Sequence, residues 1–196
     1  MRADAQRNYD RLLEEARQAF IVHGTEVALE DIARHAGVGI GTLYRHFPDR
    51  YSLMNAVFEQ ELDKLIEQAR GLLTAEDPTE ALLKWLKAVA VHSAYYRGLS
   101  AAIMTAPDAK MPACKLLLRS AGADLLIRAQ EAGEIRLDAS IGDLLKLTSV
   151  LVTAAEGDRE DRALFGRLMN LVMDGLRTRP EGADPVAAAT GAATTP

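Results

Sequence analysis

Apolar positions recur along this chain at the spacing of one helix face. Tyr9, Leu12, Leu13, Ala16 and Phe20 fall on one amphipathic stripe, and His23-Gly24 ends it, since glycine takes the left-handed conformation of a helix C-cap. Leu29, Ile32, Ala33 and Ala36 form a second, shorter face, with Glu30 and Asp31 in its first turn, where carboxylates suit the helix dipole. Gly37 stops it. A third short helix is expected over 40–47, closed by Pro48, with Asp49 as the N-cap of the next. That fourth helix, to about residue 73, aligns Met54, Val57, Phe58, Leu62, Leu65, Ile66 and Ala69. Residues 74–78 interrupt the pattern, and Asp77-Pro78 supplies a cap and a first-turn proline. The next helix carries Leu82, Leu83, Leu86, Val89 and Ala90, and residues 98–106 read as a separate short apolar piece. Pro107 and Pro112 punctuate the chain. A long helix over 113–132 keeps Leu117, Leu118, Ala121, Leu125 and Ala129 in phase, a loop spans 133–138, and helices follow at 140–155 and 160–177. No strand alternation occurs, so the expectation is an all-α chain of about nine helices.

Composition agrees: Ala and Leu dominate, β-branched and aromatic residues are sparse, and 48% of the 196 residues are hydrophobic, enough for a real core. Residues 180–196 differ, with Val186 as the one large aliphatic, and are expected to be a disordered tail. Charge changes the picture more. The net charge is −5, with 7 basic and 8 acidic side chains in residues 1–50 and 16 against 20 in the remainder. Neither part is basic, so any contact with nucleic acid has to be a local patch. The single cysteine, Cys114, excludes a disulfide framework. It reads as a small core residue or as a redox switch. Neither a signal peptide nor an apolar run of about 18 residues is present, which points to a cytoplasmic protein with no membrane partner.

The local patch is found at residues 29–50. Ile32 and Ala33 face inward, and Ala33 is small enough for a second helix to cross closely. Gly37 permits the positive φ of a tight turn. Val38 and Leu43 return to the core, which is the pattern of a helix-turn-helix. Leu43 and Phe47 form the buried pair of the second helix, so Ile40, Gly41, Thr42, Tyr44, Arg45 and His46 project outward. From Ile32 to Pro48 there is no acid, while Arg34, His35, Arg45 and His46 are present, a composition suited to phosphate contact.

This stretch resembles the TetR family of one-component repressors. Ile32-Ala33, Ala36-Gly37-Val38, the run Gly41-Thr42-Leu43-Tyr44-Arg45-His46-Phe47-Pro48 and the basic Arg50 stand in register with the family's pattern. The resemblance is specific over about residues 7–70 and architectural beyond. It implies an N-terminal helix-turn-helix DNA-binding domain (1–50), a connecting helix (51–73), a helical ligand-binding and dimerisation domain (74–179) and the tail. It also implies that Thr42, Tyr44 and His46 contact double-stranded DNA and that Arg50 holds a phosphate at a helix start. Two caps depart from the pattern: Ala28 and Gly39 replace the usual hydroxyl residues. Ile40 stands where a polar residue is usual, and its expected role is contact with a thymine methyl.

In the second half, Trp85, Val89, His92, Tyr95, Tyr96, Met104, Leu117 and Ala121 are the candidate lining of a small-molecule pocket, or else an ordinary aromatic core. Arg119, Arg128 and Arg136 read as a solvated face, and the lack of a basic cluster disfavours a highly anionic ligand such as an acyl-coenzyme A. Leu144, Leu147, Leu151, Leu168, Leu171 and Val172 offer more apolar surface than one helix pair buries, and pairing with a second copy would cover it. No nucleophile–base pair, phosphate loop or metal cluster is visible, so neither an enzyme nor a cofactor is expected. The resulting expectation is a homodimeric, ligand-released repressor of a palindromic operator. The alternative is an architectural or co-regulator protein without a ligand.

Overall fold

A computed structural model of the chain describes residues 2–105, 113–158, 161 and 163–178. Among them are eight α-helices: α1 (Arg2–His23), α2 (Leu29–His35), α3 (Ile40–His46), α4 (Arg50–Leu72), α5 (Pro78–Met104), α6 (Ala113–Glu131), α7 (Ile141–Gly157) and α8 (Leu164–Leu176). The signals at their ends act as the residue types dictate. Asp49 accepts from the Ser52 amide at 2.7 Å, and the Ser52 hydroxyl faces back to the Asp49 amide, completing a capping box for α4. Asp77 accepts from Glu80 N with Pro78 in the first turn of α5, and Ser140 accepts from Asp143 N at the start of α7. Ala28 and Gly39 make no side-chain cap bond.

Two expectations are corrected. Residues 98–104 are not a separate helix but the last turns of α5, because Tyr96, Leu99 and Ile103 continue its buried stripe while Gly98 sits on the exposed side. The last helix begins at Leu164 rather than 160. Pro107, Pro112 and the expected tail over 180–196 lie outside the described residues.

Among the described residues the buried apolar side chains other than Ala90 and Val152 form one continuous cluster. α1, α2 and α3 pack together through Leu12, Ala16, Phe20, Ile32, Ala33 and Leu43. α4 packs against α1 and also against α5 and α6, so it belongs to both halves. α5 in turn contacts α7, and α7 contacts α8. After α8 the chain folds back: Arg136 N donates to Leu176 O at 3.0 Å and Thr178 N to Glu134 O at 3.1 Å. Glu134 also accepts from the Thr79 hydroxyl at 2.6 Å, which pins the start of α5 to the turn after α6.

The tightest packing is at Trp85. Its ring is fully buried, and its Nε1 donates to Leu65 O of α4 at 3.0 Å. On the other side lies Gly122 of α6, where a Cβ would stand 2.5 Å from the ring's Cζ3. Gly122→Ala therefore drives the methyl into an aromatic ring held by a hydrogen bond. The expected loss is about 1–3 kcal/mol of stability, read as a lower urea midpoint. Trp85→Phe, which frees space on that side, is expected to reduce the cost of the alanine in the double variant. A Gly122→Ala protein as stable as the parent would contradict this packing.

Candidate functional site

The turn between α2 and α3 is built by a glycine. Gly37 has φ +65°, Val38 N donates to Ala33 O at 2.9 Å and Gly37 N to Arg34 O at 3.1 Å. This is the Schellman arrangement, which closes the open carbonyls of α2 and turns the chain sharply. α3 then buries Leu43 alone, with Phe47 following it into the core. Ile40, Gly41, Tyr44 and Arg45 are exposed, Ile40 by 37% and Tyr44 by 44%. Thr42 and His46 are half-buried. The His46 ring meets Tyr9 of α1 edge-on at 5.7 Å, so part of it supports the domain instead of facing outward.

Arg50 has a structural duty that its sequence position did not reveal. Its Nη1 donates to Thr25 O at 2.6 Å and Val27 O at 2.5 Å, tying the α1–α2 turn to the start of α4. Tyr51, the next residue, is 38% exposed. The sequence reading passed over it, and its place at the start of α4 beside Arg50 was the available signal.

A cavity of about 580 Å³ lies among α4, α5, α6 and α7. Of the eight candidate lining residues, Val89, His92, Tyr96 and Met104 line it. The other four do not. Trp85 belongs to the core, and Tyr95 is 62% exposed beside Arg17 in a neighbouring groove. Leu117 and Ala121 border a small depression near Ile66 and Asp124. The missed liners are Phe58 and Leu62 of α4, Ser93, Arg97, Ser100 and Ala101 of α5, Lys115, Leu118 and Arg119 of α6, and Leu145 and Ser149 of α7. A signal for α5 existed: positions 89, 92, 93, 96, 97, 100 and 104 are one helical stripe with polar residues on the side that should be apolar. Arg119 and Arg136 are exposed as expected, and Arg128 is half-buried. Arg119 lines the cavity, Arg128 donates to Ala75 O, and Arg136 pairs with Asp138.

One row of rings crosses the cavity wall. Lys115 Nζ lies 5.5 Å from the Phe58 centroid, Phe58 is 5.7 Å from His92, and His92 is 4.7 Å from Tyr96. Tyr96 shares a groove with Arg17 of α1 and Glu61 of α4. Burial pushes the Tyr96 hydroxyl up to about 12, with Glu61 adding to the rise and Arg17 opposing it. Arg17 is also 2.5 Å from Glu14 and 3.9 Å from Glu61. The row therefore runs from the cavity towards Arg17 of α1. Within it, His92 Nε2 is buried and has no hydrogen-bond partner among the described residues. Burial pushes His92 down to about 4, against a smaller opposing pull from Glu61.

On α7 and α8, Leu147, Val150 and Leu171 are exposed by 42%, 63% and 67%, and Leu151, Leu168 and Val172 are half-buried. Leu144, expected with them, is buried within the chain's own core. Cys114 is buried, which pushes its thiol up and away from the reactive thiolate. Among the described residues no group of His, Cys, Asp and Glu could hold a metal ion, and no helix is long and apolar enough to cross a membrane.

The neutral His92 has a consequence for stability. The unfolded chain takes a proton at the ordinary histidine value of 6.5 while the folded one resists until about 4. Between these values the unfolded state binds more protons, so stability is full above pH 6.5 and falls as pH drops towards 4. His92→Gln is expected to flatten the part of that loss between pH 6.5 and 5 in denaturation midpoints. An unchanged slope would mean that His92 is not desolvated as described.

Residues 77–178 match the family model described as the C-terminal domain of SbtR-like transcriptional regulators, and residues 12–57 match that of bacterial regulatory proteins of the tetR family. A TetR transcriptional regulator from Streptomyces coelicolor is 33% identical with a TM-score of 0.73, covering 87% of this chain and 99% of its own. A TetR regulatory protein from Mycobacterium vanbaalenii is 34% identical with a TM-score of 0.68, covering 90% and 99%. A gamma-butyrolactone receptor shares the fold at 21% identity and a TM-score of 0.60, covering 89% and 90%. HTH-type transcriptional regulators of Staphylococcus aureus are 42% identical over 67 residues, which is 34% of this chain and 36% of theirs. The chain thus spans about a third of the length of those curated relatives. Such family and fold are those of transcriptional regulators, not enzymes, and this chain belongs to the TetR family of bacterial regulatory proteins.

Proposed function

We propose that the protein is a homodimeric transcriptional repressor that leaves a palindromic operator when a small molecule enters the α4–α7 cavity. The observation that carries the DNA half of this reading is the exposed face of α3, where Ile40, Gly41, Tyr44 and Arg45 stand clear of the core on a helix fixed by the Gly37 turn. Ile40 meets a thymine methyl in this reading, and Tyr44 and Arg45 meet phosphate or base edges, with Thr42 and His46 at the flank. Arg50 steadies the α1–α2 turn and turns its remaining nitrogens to a phosphate.

Residues 1–50 read the DNA, 51–73 connect, and 74–179 bind the effector and pair. The exposed Leu147, Val150 and Leu171, with Leu151, Leu168 and Val172 beside them, are the surface a second copy covers. Pairing sets two recognition helices in successive major grooves, about 34–36 Å apart, in the compartment that holds the DNA, the cytoplasm. The effector acts by preferring a different spacing of those helices. Its route to the DNA is the Phe58–His92–Tyr96 row and the Arg17–Glu61 contacts beyond it. The reading without a ligand is disfavoured by one observation: the cavity holds a buried, unpartnered His92 Nε2, and an unmet polar atom costs about 1–3 kcal/mol.

The test is selection of bound duplexes from a random library, repeated with a Tyr44→Ala, Arg45→Ala double variant. Both side chains are exposed, so the variant is expected to fold. The expected result is a two-fold-symmetric enriched site that the variant loses, with at least about a tenfold drop in affinity. Equal enrichment by both proteins would remove α3 from the interface. An asymmetric single site would remove the dimer.

A further inference from the structure

The walls of the α4–α7 cavity are unequal in charge. Lys115 and Arg119 stand one turn apart on α6, Arg97 faces them from α5, and no Asp or Glu lines the space. Arg97 is engaged by Glu156 at 3.0 Å. Among the described residues neither Lys115 nor Arg119 has an ion-pair partner. Lys115 rests over the Phe58 ring, 5.5 Å from its centroid. Arg119 lies across Gly142 of α7, where a Cβ would be 2.8 Å from its Nη2. The absence of a side chain at 142 thus makes room for the guanidinium at the edge of the cavity. Lys115 is half-buried and Arg119 exposed, so both cations belong to the mouth, while Phe58, Leu62 and Val89 are buried deeper in.

We propose that this cavity takes a monocarboxylate amphiphile, its carboxylate held between Lys115 and Arg119 and its apolar body lying along Phe58, Leu62, Val89 and Leu118. Two uncommitted cations at the rim match one carboxylate. The inner wall supplies no further cation, which disfavours a multiply charged ligand. Arg119 offers the planar fork that accepts a carboxylate in two parallel bonds, and Lys115 adds a point charge already steadied by an aromatic face. The volume, about 580 Å³, lies within the range of small-molecule sites. This assignment rests on the sensor reading only for what binding does to the DNA.

The experiment is calorimetric titration of the full chain at neutral pH with straight-chain carboxylates from hexanoate to tetradecanoate and with the alcohols of the same chain lengths, all below their micelle concentrations. The best acid is expected to bind at least about tenfold more tightly than its alcohol, and the margin should shrink in about 0.5 M salt. Lys115→Gln and Arg119→Gln, singly and together, should erode that margin while leaving the alcohols unchanged. The single variants keep the test valid should the double fail to fold. No binding by any acid, equal binding of acid and alcohol, or an unchanged margin in folded variants would overturn the assignment. Operator release is read separately on the selected duplex. An acid that binds as described yet leaves the DNA complex intact would defeat the sensor reading and leave the ligand class standing.

Discussion

The close approach of α6 to Trp85 is the constraint on which the rest of this chain depends. An indole needs both an apolar site and a hydrogen-bond acceptor once it is buried. Leu65 O of α4 provides the acceptor, and the bare Cα of Gly122 provides the room. Three helices are therefore locked at one ring. With α4, α5 and α6 set there, a cavity remains among α4, α5, α6 and α7. α4 meanwhile carries its capping box and Arg50 to the edge of the DNA-reading half. The cavity is lined by the same three helices, with α7 closing it, and α4 carries on to the helix-turn-helix.

Much of the first half was legible in the sequence because short-range physics decides it. Gly37 and Gly24 have the positive φ that their places after helices demand, Asp49 and Asp77 cap, and Leu43 with Phe47 turn Tyr44 outward. Arg50 was harder. Its partners are the carbonyls of Thr25 and Val27, far away in sequence, and nothing in the local pattern announces them. The second half was legible as helices and much less as a site. Leu117 is 54% exposed although it sits in an apolar stripe, and Leu144 is buried internally although it sits in the stripe assigned to the interface. Periodicity says that a face is apolar but not which neighbour covers it. Trp85 was misplaced for the same reason: a large aromatic fills a core and lines a pocket equally well until its neighbour is known to be a glycine.

Charge behaved similarly. Counted along the chain, the second half is acidic and no basic cluster stands out. In space, Lys115 and Arg119 share one face of α6, and Arg97 comes from another helix to the same opening. The electrostatics of a cavity are set by the few groups that face it, with low-dielectric walls magnifying their effect, so net charge is a poor guide to it. His92 illustrates the other side of that rule. In the same low-dielectric setting it is held neutral, so the inner wall is polar without being charged.

Tyr96 is a wall of the cavity and, through Arg17 and Glu61, a neighbour of the helix that frames the DNA-reading domain. Shared parts limit how a lineage of such proteins can diversify. If the proposed effector binds there, a change at His92 or Tyr96 that suits a new compound also alters the packing against α1 and α4, so taste and set-point move together. Arg119, which lies across Gly142 of α7, stands outside that row, and Lys115 touches only its outer ring, Phe58. Relatives that acquire new chemical preferences while keeping the same resting grip on DNA should therefore vary first at the mouth of the cavity and last along its inner stack.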